Sequence, residues 1–395
     1  MEERMQRLID FLRTRNAPFL AASDWIAAHP ELGHQEHEAS RLWEGILREH
    51  GFTVTSSYGG YATAFCAEAG SASSPLVVFL AEYDALPEIG HGCGHNWSGA
   101  ASALAGAALA SLFPELPGSV RVVGTPAEET DGAKIGMAEA GLFDGVGLAM
   151  MIHAESARTQ VVCKCLAMEG VEFRFQGKPA HAAASPWEGK NALNGVQLFF
   201  HALDMLRQHV RPEIRMHGIV VSGGAAPNIV PEIAEARFYF RAPRRKELDA
   251  LLEQVWNCAR GAALATDTTV TWRTYEKAMD DMVRNPTAER LMTEIIEGLG
   301  YPCSLPEEAS GSSDVGNVSY RCPTLHPEMA TVPERLVIHS REFAQAMTSP
   351  AAHASLLDAA QALAMCGYRV LTDATLRERI RADFLTYRDK ESEGR

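Results

Sequence analysis

The sequence predicts an α/β fold, with a mostly parallel sheet covered by helices on both faces and an inserted ferredoxin-like domain of βαββαβ order. Three short apolar runs, at residues 76–81, 119–125 and 147–152, have the length and β-branched content of strands that are buried on both faces. An Ala-rich apolar helix is expected between the first two runs, over residues 94–112. The order of elements changes after about residue 165, where alternating strands and two amphipathic helices predict the inserted domain.

The elements before the inserted domain follow from apolar spacing and from proline. Residues 1–47 carry helical spacing that is interrupted at Pro18 and again at Pro30, so several helices are expected there. After this segment, strand and helix patterns alternate along the chain. This alternation, together with nearly continuous apolar strands, is typical of a parallel sheet packed between two layers of helices.

The inserted domain is predicted from elements in a fixed order. They are a strand at 171–176, a helix at 191–210, strands at 217–222 and 235–241, a helix at 244–264 and a strand at 268–273. This is the split βαβ arrangement of ferredoxin-like domains. Helical spacing resumes at residues 287–299 and 351–365. We therefore expect one domain made of residues 1–167 and 281–395, with residues 168–280 inserted into it.

Composition and charge exclude several classes of partner. Hydrophobic residues make up 46% of the 395 residues and charged residues 22%, as in an ordinary globular protein. The formal charge of −14 argues against a nucleic acid or an anionic membrane as partner, because either would require a basic face. No apolar stretch has the length of a membrane span, and the eight cysteines are scattered as in a reducing compartment, so a cytoplasmic location is expected.

Residues that can bind a metal follow each predicted strand of the first domain. Cys93 and His95 come after the first strand, with glycines on both sides of the cysteine that let the backbone turn tightly. Glu128 and Glu129 follow the second strand, and His153 ends the third. Because ligands bind outside the carboxyl ends of strands in open α/β sheets, these side chains are expected to share one site. Thiolate and imidazole favour a transition-type cation over magnesium or calcium.

Two carboxylates have predicted roles beside such a site. If residues 128–129 are extended, only one of Glu128 and Glu129 faces a given cation, and the other is free to move protons. Asp84 stands three residues past the first strand, where it can accept the second N–H of a ligating histidine. Solvated loop carboxylates and a turn aspartate are the structural alternatives. Three ligand-bearing strand ends in one fold favour the functional interpretation.

Short segments, spread in order from about residue 25 to residue 360, match one known family. They are EYDALP at 82–87, GHGCGHN at 90–96, GTPAEE at 124–129, GKPAHA at 177–182, GGAAPNIVP at 223–231, RFYFR at 237–241, GSSDVGNVS at 311–319 and HS at 339–340. The chain thereby resembles the M20 family of metallopeptidases and amidohydrolases. More narrowly, it resembles the branch of aminobenzoyl-glutamate hydrolases and peptidase M20 domain-containing 2 proteins.

The resemblance implies a catalytic α/β domain with two divalent metal ions, Zn²⁺ or Mn²⁺, and an inserted lid domain that forms a homodimer. Carried over by position, the implied metal ligands are Cys93, His95, Glu129, His153 and His339. Glu128 is implied as the general acid/base, Asp84 as an orienting carboxylate, and His181 as a lid histidine that reaches the partner subunit's site. The implied substrate-binding residues are Asn228, Arg241, Gly311 and Ser312.

The predicted function is hydrolysis of an amide bond beside a free carboxylate, in a small N-acyl or N-aroyl amino acid or in a dipeptide. Two alternatives stay open: hydrolytic deamination of an aromatic amine on the same metal centre, and a metal-binding scaffold without catalysis. Ala154, Tyr239 and Asn96 replace residues that are common in relatives, and Asn96 supports the narrower branch. None of these departures removes a ligand.

Overall fold

The described residues form two compact units. The computed structural model describes residues 2–70, 74–305 and 311–392. The first unit comprises residues 2–164, 282–305 and 313–390, and the second comprises residues 165–281 with Gly311 and Ser312. The chain of the first unit is therefore interrupted by that of the second.

Helices and strands alternate along both units. In chain order the strands are β1 (Thr53–Ser56), β2 (Phe65–Gly70), β3 (Leu76–Ala81), β4 (Ser119–Gly124), β5 (Leu148–Met150), β6 (His153–Glu155), β7 (Ala167–Gln176), β8 (Arg215–Ser222), β9 (Ile233–Ala242), β10 (Thr269–Thr274), β11 (Thr324–Leu325) and β12 (Glu328–Ala330). The α-helices are α1 (Glu2–Thr14), α2 (Ala17–Ala28), α3 (His37–Glu49), α4 (His95–Ala110), α5 (Ala133–Glu139), α6 (Ala192–Leu206), α7 (Arg245–Ala265), α8 (Pro286–Gly298), α9 (Val315–Ser319), α10 (Arg341–Ala346), α11 (Pro350–Thr372) and α12 (Ala374–Ser392).

The main sheet of the first unit has the strand order β1-β2-β4-β3-β5-β11. Strands β4, β3, β5 and β11 are parallel, whereas β1 and β2 are added antiparallel at one edge. A parallel pair requires a crossover connection, and α4 supplies it between β3 and β4. The prediction of a mostly parallel sheet is confirmed. The antiparallel edge was not visible in the sequence, because β1 is largely exposed and lacks a continuous apolar run.

Alternate residues of β3 enter two different apolar cores, which explains why the whole strand is apolar. Val77 and Phe79 pack in one core with residues of α4 and α11. Val78 and Leu80 pack in a second core with residues of α5 and α9. Side chains of a strand point to opposite faces in turn, so helices cover both faces of the sheet, as predicted.

The second unit is an antiparallel sheet of order β10-β7-β9-β8, with α6 and α7 packed against it. Its core is aromatic and includes Phe173, Phe199, Phe238 and Phe240, all of them buried. The chain order is β7-α6-β8-β9-α7-β10, which confirms the ferredoxin-like βαββαβ prediction.

Some element ends differ from the sequence prediction. Strand β7 begins at Ala167, before the predicted start at residue 171, because its first residues are buried without the alternation that marks a strand. Helix α12 was not predicted, because its apolar residues form no single stripe. Among the residues that the structure describes, no helix combines the length and apolar character needed to cross a bilayer.

Candidate metal centre

The candidate site lies at the carboxyl ends of the parallel strands. Ala81 of β3 is paired with Gly124 of β4, and Met150 of β5 is paired with Leu325 of β11, so these ends lie side by side. The segments that follow β3, β4 and β5 carry most of the predicted metal ligands. These are Cys93, His95, Glu129 and His153.

Glycines let the loop after β3 approach the segment that carries the last predicted ligand, His339. A Cβ atom on Gly92 would lie 3.3 Å from Cα of His339, and the backbone N–H of His339 donates to the carbonyl of Gly92 at 2.8 Å. Gly94 has a φ of 75°, which favours glycine, and α4 begins at the next residue, His95. The backbone therefore brings His339 and His95 to opposite sides of Cys93.

The chain leaves β4 through a strained turn. Ala127 has a φ of 63°, a left-handed conformation that costs a residue with a side chain about 1–2 kcal/mol. Its carbonyl accepts the N–H of Gly132 at 2.9 Å, which closes the turn. The N–H of Glu129 donates to Oδ2 of Asp84 at 2.9 Å. This turn carries Glu128 and Glu129 to the strand ends.

The five predicted ligands are brought together. Sγ of Cys93 lies 3.3 Å from Nε2 of His153 and 3.4 Å from Nε2 of His339. Oε1 of Glu129 lies 3.3 Å from the same nitrogen of His339. Two groups share the thiol, one with His95 and His153 and one with Glu129 and His339, and within each group the ligand atoms lie within 4.8 Å of one another.

Hydrogen bonds select the histidine tautomer that a metal ligand requires. Nδ1 of His95 donates to Oδ1 of Asp84 at 2.9 Å, and Nδ1 of His153 donates to the carbonyl of Ala154 at 2.8 Å. The lone pair of each histidine is then on Nε2. Nε2 of His95 is buried and has no hydrogen-bond partner among the described residues, and a cation would satisfy it. The donor set therefore fits a divalent transition-type metal.

The cluster is buried at one side and open at the other. His95 is completely buried and Cys93 is nearly so. The side chain of His339, by contrast, is 51% exposed. Glu128 and His153 are partly buried. This gradient keeps the thiol side dry while the His339 side stays accessible from solvent.

Glu128 belongs to a group of three carboxylates that the sequence reasoning did not connect. One of its oxygens lies within 4.8 Å of oxygens of Glu82 and Asp314. Burial raises the pKa of Glu128, and the charges of Glu82 and Asp314 raise it further. The completely buried Lys134 lies between these two partners, with Nζ 2.7 Å from an oxygen of each. The ammonium thus offsets the repulsion within the group.

Neighbouring cations also set the charges of two acidic residues in the site. Burial disfavours the charged form of Glu82, but the charges of Lys134 and His95 outweigh it and lower the pKa to about 2. Burial also opposes charge on Glu129, but a hydrogen bond from His339 and the charge of His95 lower its pKa to about 2. Both side chains are therefore carboxylates at neutral pH.

His326 is a further buried group that sequence reasoning did not place in the site. It follows β11 as His153 follows β5, and the two ring centres lie 5.7 Å apart. Burial lowers the pKa of His326 to about 3, so the ring is neutral. The rule of strand ends would have found it, but β11 is only two residues long and gives no strand pattern.

The second unit holds the predicted substrate-binding residues Arg241, Gly311 and Ser312. Nη1 of Arg241 donates to Oγ of Ser312 at 3.2 Å, and the guanidinium lies 5.9 Å from the ring centre of Tyr239. Nε of Arg241 is buried without a hydrogen-bond partner among the described residues. The carbonyl of Gly311 accepts a backbone N–H of the same unit at 2.8 Å. Arg241 therefore has donor capacity left for a ligand.

His181 and Asn228 lie in neighbouring loops of the second unit. His181 forms an isolated antiparallel bridge with Ile229, and the carbonyl of Asn228 accepts the N–H of Ala182 at 3.0 Å. Nδ1 of His181 accepts the N–H of Ala184 at 3.2 Å, so the ring proton of a neutral His181 is on Nε2. Both side chains are exposed and can donate to a bound molecule.

The second unit matches a known domain family, the peptidase dimerisation domain, over residues 168–267. The whole chain resembles the Xaa-Arg dipeptidase of Mus musculus, with 39% identity over 384 residues that cover 92% of this chain and 88% of the relative. The Xaa-Arg dipeptidase of Homo sapiens is 36% identical, with the same shares covered. One of the p-aminobenzoyl-glutamate hydrolase polypeptides of Escherichia coli is 33% identical over 76% of this chain and 66% of its own length.

Solved structures share the fold at low sequence identity. A putative aminohydrolase from methicillin-resistant Staphylococcus aureus has a TM-score of 0.79 at 18% identity, with 93% of this chain and 100% of that chain covered. A dinuclear metal binding peptidase of the M20 family from Bacillus subtilis has a TM-score of 0.65 at 20% identity, with 93% and 99% covered. Together with the relatives above 30% identity, these matches show that the chain belongs to the M20 family of amide- and peptide-bond hydrolases, in the branch of aminobenzoyl-glutamate hydrolases and peptidase M20 domain-containing 2 proteins.

Proposed function

We propose that this protein uses two divalent metal ions to hydrolyse the amide bond of a dipeptide, or of a small N-acyl or N-aroyl amino acid with a free carboxylate. The observation that carries the proposal is the set of five ligand-type side chains around Cys93, with Glu128 beside it. The names of the relatives support the substrate class. A dipeptide and p-aminobenzoyl-glutamate both carry an amide bond next to a carboxylate.

The two groups that share the thiol of Cys93 would hold the two ions. One group contains His95 and His153, and the other contains Glu129 and His339. Bound ions of this kind polarise a substrate carbonyl and lower the pKa of water. The mixture of thiolate, imidazole and carboxylate supports zinc or manganese.

Glu128 is the proposed general acid/base. It lies close to ligand atoms of His95 and Glu129, yet it belongs to neither group that shares the thiol. Its carboxylate would accept a proton from the attacking water and deliver it to the leaving nitrogen. Asp84 would hold His95 in orientation through its hydrogen bond to Nδ1.

The second unit supplies the proposed recognition groups. Arg241, supported by Ser312, would bind the substrate carboxylate with a charge-assisted hydrogen bond. Asn228, and His181 from the partner subunit, would donate to the scissile carbonyl, where negative charge develops. This assignment treats residues 168–280 as the lid domain of a homodimer, with Gly311 in the adjoining loop. The scattered cysteines support a cytoplasmic location.

Metal removal and reloading test the proposal. Protein that has been stripped with a chelator should be inactive, and reloading with Zn²⁺ or Mn²⁺ should restore cleavage of dipeptides ending in arginine, of p-aminobenzoyl-glutamate or of N-acyl amino acids. Elemental analysis should then find two ions per chain. Release of ammonia from aromatic amines without amide cleavage would support a deaminase instead. Metal binding without turnover of any substrate would support a scaffold.

A further inference from the structure

Glu36 lies outside the proposed ligand set, yet its carboxylate reaches the turn that carries Glu128. The residue precedes α3 and is completely buried. Oε1 accepts the backbone N–H of Ala127 at 2.8 Å, and Oε2 accepts the hydroxyl of Thr63 at 2.9 Å. The carboxylate therefore ties the start of α3 to the turn after β4, 91 residues away along the chain.

The conformation of Ala127 gives this contact its importance. Its φ of 63° lies in the left-handed region, which an alanine adopts only when its surroundings impose it. Ala127 is completely buried, so its N–H would have no water to bond if Glu36 did not accept it. A relaxed conformation at residue 127 would change the direction of the chain immediately before Glu128.

The segment that precedes Glu36 packs closely against the same turn. A Cβ atom on Gly33 would lie 2.6 Å from Oγ1 of Thr130 and 3.2 Å from Cα of Ala127, so only glycine fits there. The ring of His34 contacts the carboxylate of Asp131 just past the turn. The approach of this segment is therefore a built contact, and Glu36 is its buried end.

We infer that Glu36 is a positioning residue for the hydrolysis, which holds Ala127 in its left-handed conformation and thereby fixes the carboxylate of Glu128 in the site. On the other side of Glu128, the N–H of Glu129 is held by Asp84 at 2.9 Å. Buried carboxylates thus bind the N–H groups on both sides of the general acid/base. The inference rests on the proposed role of Glu128.

Two substitutions at Glu36 separate the acceptor from the filled space. Glu36→Met keeps the approximate volume and removes the acceptor, so kcat should fall roughly 10- to 100-fold through misplacement of Glu128, with KM and metal content unchanged. Glu36→Gln keeps an oxygen for Ala127 and should retain kcat within a few-fold. The matched control is Glu44→Met, which removes another buried carboxylate of α3 that bonds Arg48 and Ser56 and does not touch the turn. It should leave kcat unchanged.

A second-site change provides the decisive readout. Glycine adopts the left-handed conformation without strain, so Ala127→Gly added to Glu36→Met should recover most of the lost kcat. A folded Glu36→Met protein with wild-type kcat would overturn the inference. Loss of metal together with activity, without recovery by glycine, would also overturn it and show a merely structural role. If Glu128→Gln is active with full metal content, the proposed function itself fails. If Glu128→Gln is inactive and Glu36→Met is active, only the present inference fails.

Discussion

Sγ of Cys93 lies 3.3 Å from Nε2 of His153, although 60 residues of chain separate them. The imidazole is held in this orientation because its other nitrogen donates to the carbonyl of Ala154. The same thiol is 3.4 Å from Nε2 of His339. Cys93 is thus the side chain that both proposed ion positions have in common.

Replacement of Cys93 by alanine should lower metal occupancy and activity together, because a methyl group cannot replace a thiolate ligand. Elemental analysis and turnover of the same preparation measure both effects. Cys366→Ala is the matched control, since this buried thiol belongs to the α11 core and to no ligand group. Two bound ions with full activity in Cys93→Ala would show that the thiol only packs.

The adjacent residues Glu128 and Glu129 should respond differently to the same change. Glu128→Gln should keep its metal but lose at least ~10²-fold in turnover, as expected for a lost general acid/base. Glu129→Gln should lose metal as well, because Glu129 lies in a group that shares the thiol. Each variant serves as the control for the other. Turnover near the wild-type level in metal-replete Glu128→Gln would remove Glu128 from the mechanism.

Arg241→Ala should reduce kcat/KM for substrates with a free carboxylate and have far less effect on their amidated analogues. A charge-assisted hydrogen bond contributes ~1.5–3 kcal/mol, which corresponds to a ten- to hundredfold change. Arg237→Ala is the control on the same strand, where the exposed guanidinium pairs with Glu172 at 2.7 Å. Equal hydrolysis of acid and amide by the wild type would contradict recognition of the carboxylate.

Mixing two inactive variants tests whether His181 acts in the partner subunit. If it does, exchange between His181→Ala and Glu128→Gln dimers should restore about a quarter of the wild-type activity, because about half of the dimers become hybrids with one complete site. His201→Ala, which changes an exposed histidine of the same unit, should be active without mixing. Proven subunit exchange without recovery of activity would place His181 in its own subunit's site or outside catalysis.

Glu36 should also give folding stability a measurable pH dependence. Burial raises the pKa of Glu36 from 4.5 to about 7, and the charge of Asp84 adds to this shift. The folded protein therefore binds this proton more tightly than the unfolded chain, so the stabilisation is complete below the lower value and is lost as the pH rises towards the higher one. The loss is at most about 3 kcal/mol, at roughly 1.4 kcal/mol per pKa unit.

Denaturant unfolding of wild type and Glu36→Gln across this pH window measures the effect. Glutamine does not titrate, so the free energy of unfolding of the variant should decline less as the pH rises from acidic to neutral. Other titrating groups contribute equally to both proteins and cancel in the comparison. Parallel pH profiles would show that Glu36 keeps an ordinary pKa in the folded protein.

Local patterns predicted the fold well where burial is uniform along an element. The apolar run at residues 76–81 coincides with β3, and the Ala-rich run coincides closely with α4. Elements with weak patterns were missed, because β1 is exposed, β11 has two residues, and α12 has no apolar stripe. Periodicity reports which side of an element is buried, and an element without a one-sided pattern gives no such signal.

The candidate site was predicted to the extent that its residues stand at strand ends or in recognisable motifs. Cys93, His95, Glu129 and His153 follow three strands that the apolar pattern revealed, and His339 came from the family resemblance. The groups around Glu128 were not predicted. Lys134 meets Asp314 across 180 residues, and no spacing rule relates two such positions.

By itself, the sequence determined which chemical groups stand at the ends of the strands, because the alternation of buried strands and helices and the Cys-x-His spacing are local properties of the chain. The tertiary structure alone decided which distant groups satisfy one another. Glu36 accepts the N–H of Ala127, and Lys134 neutralises Glu82 and Asp314, only because close packing excludes water and leaves each polar group with a single available partner. That choice depends on the approach of segments far apart along the chain, which local periodicity does not encode.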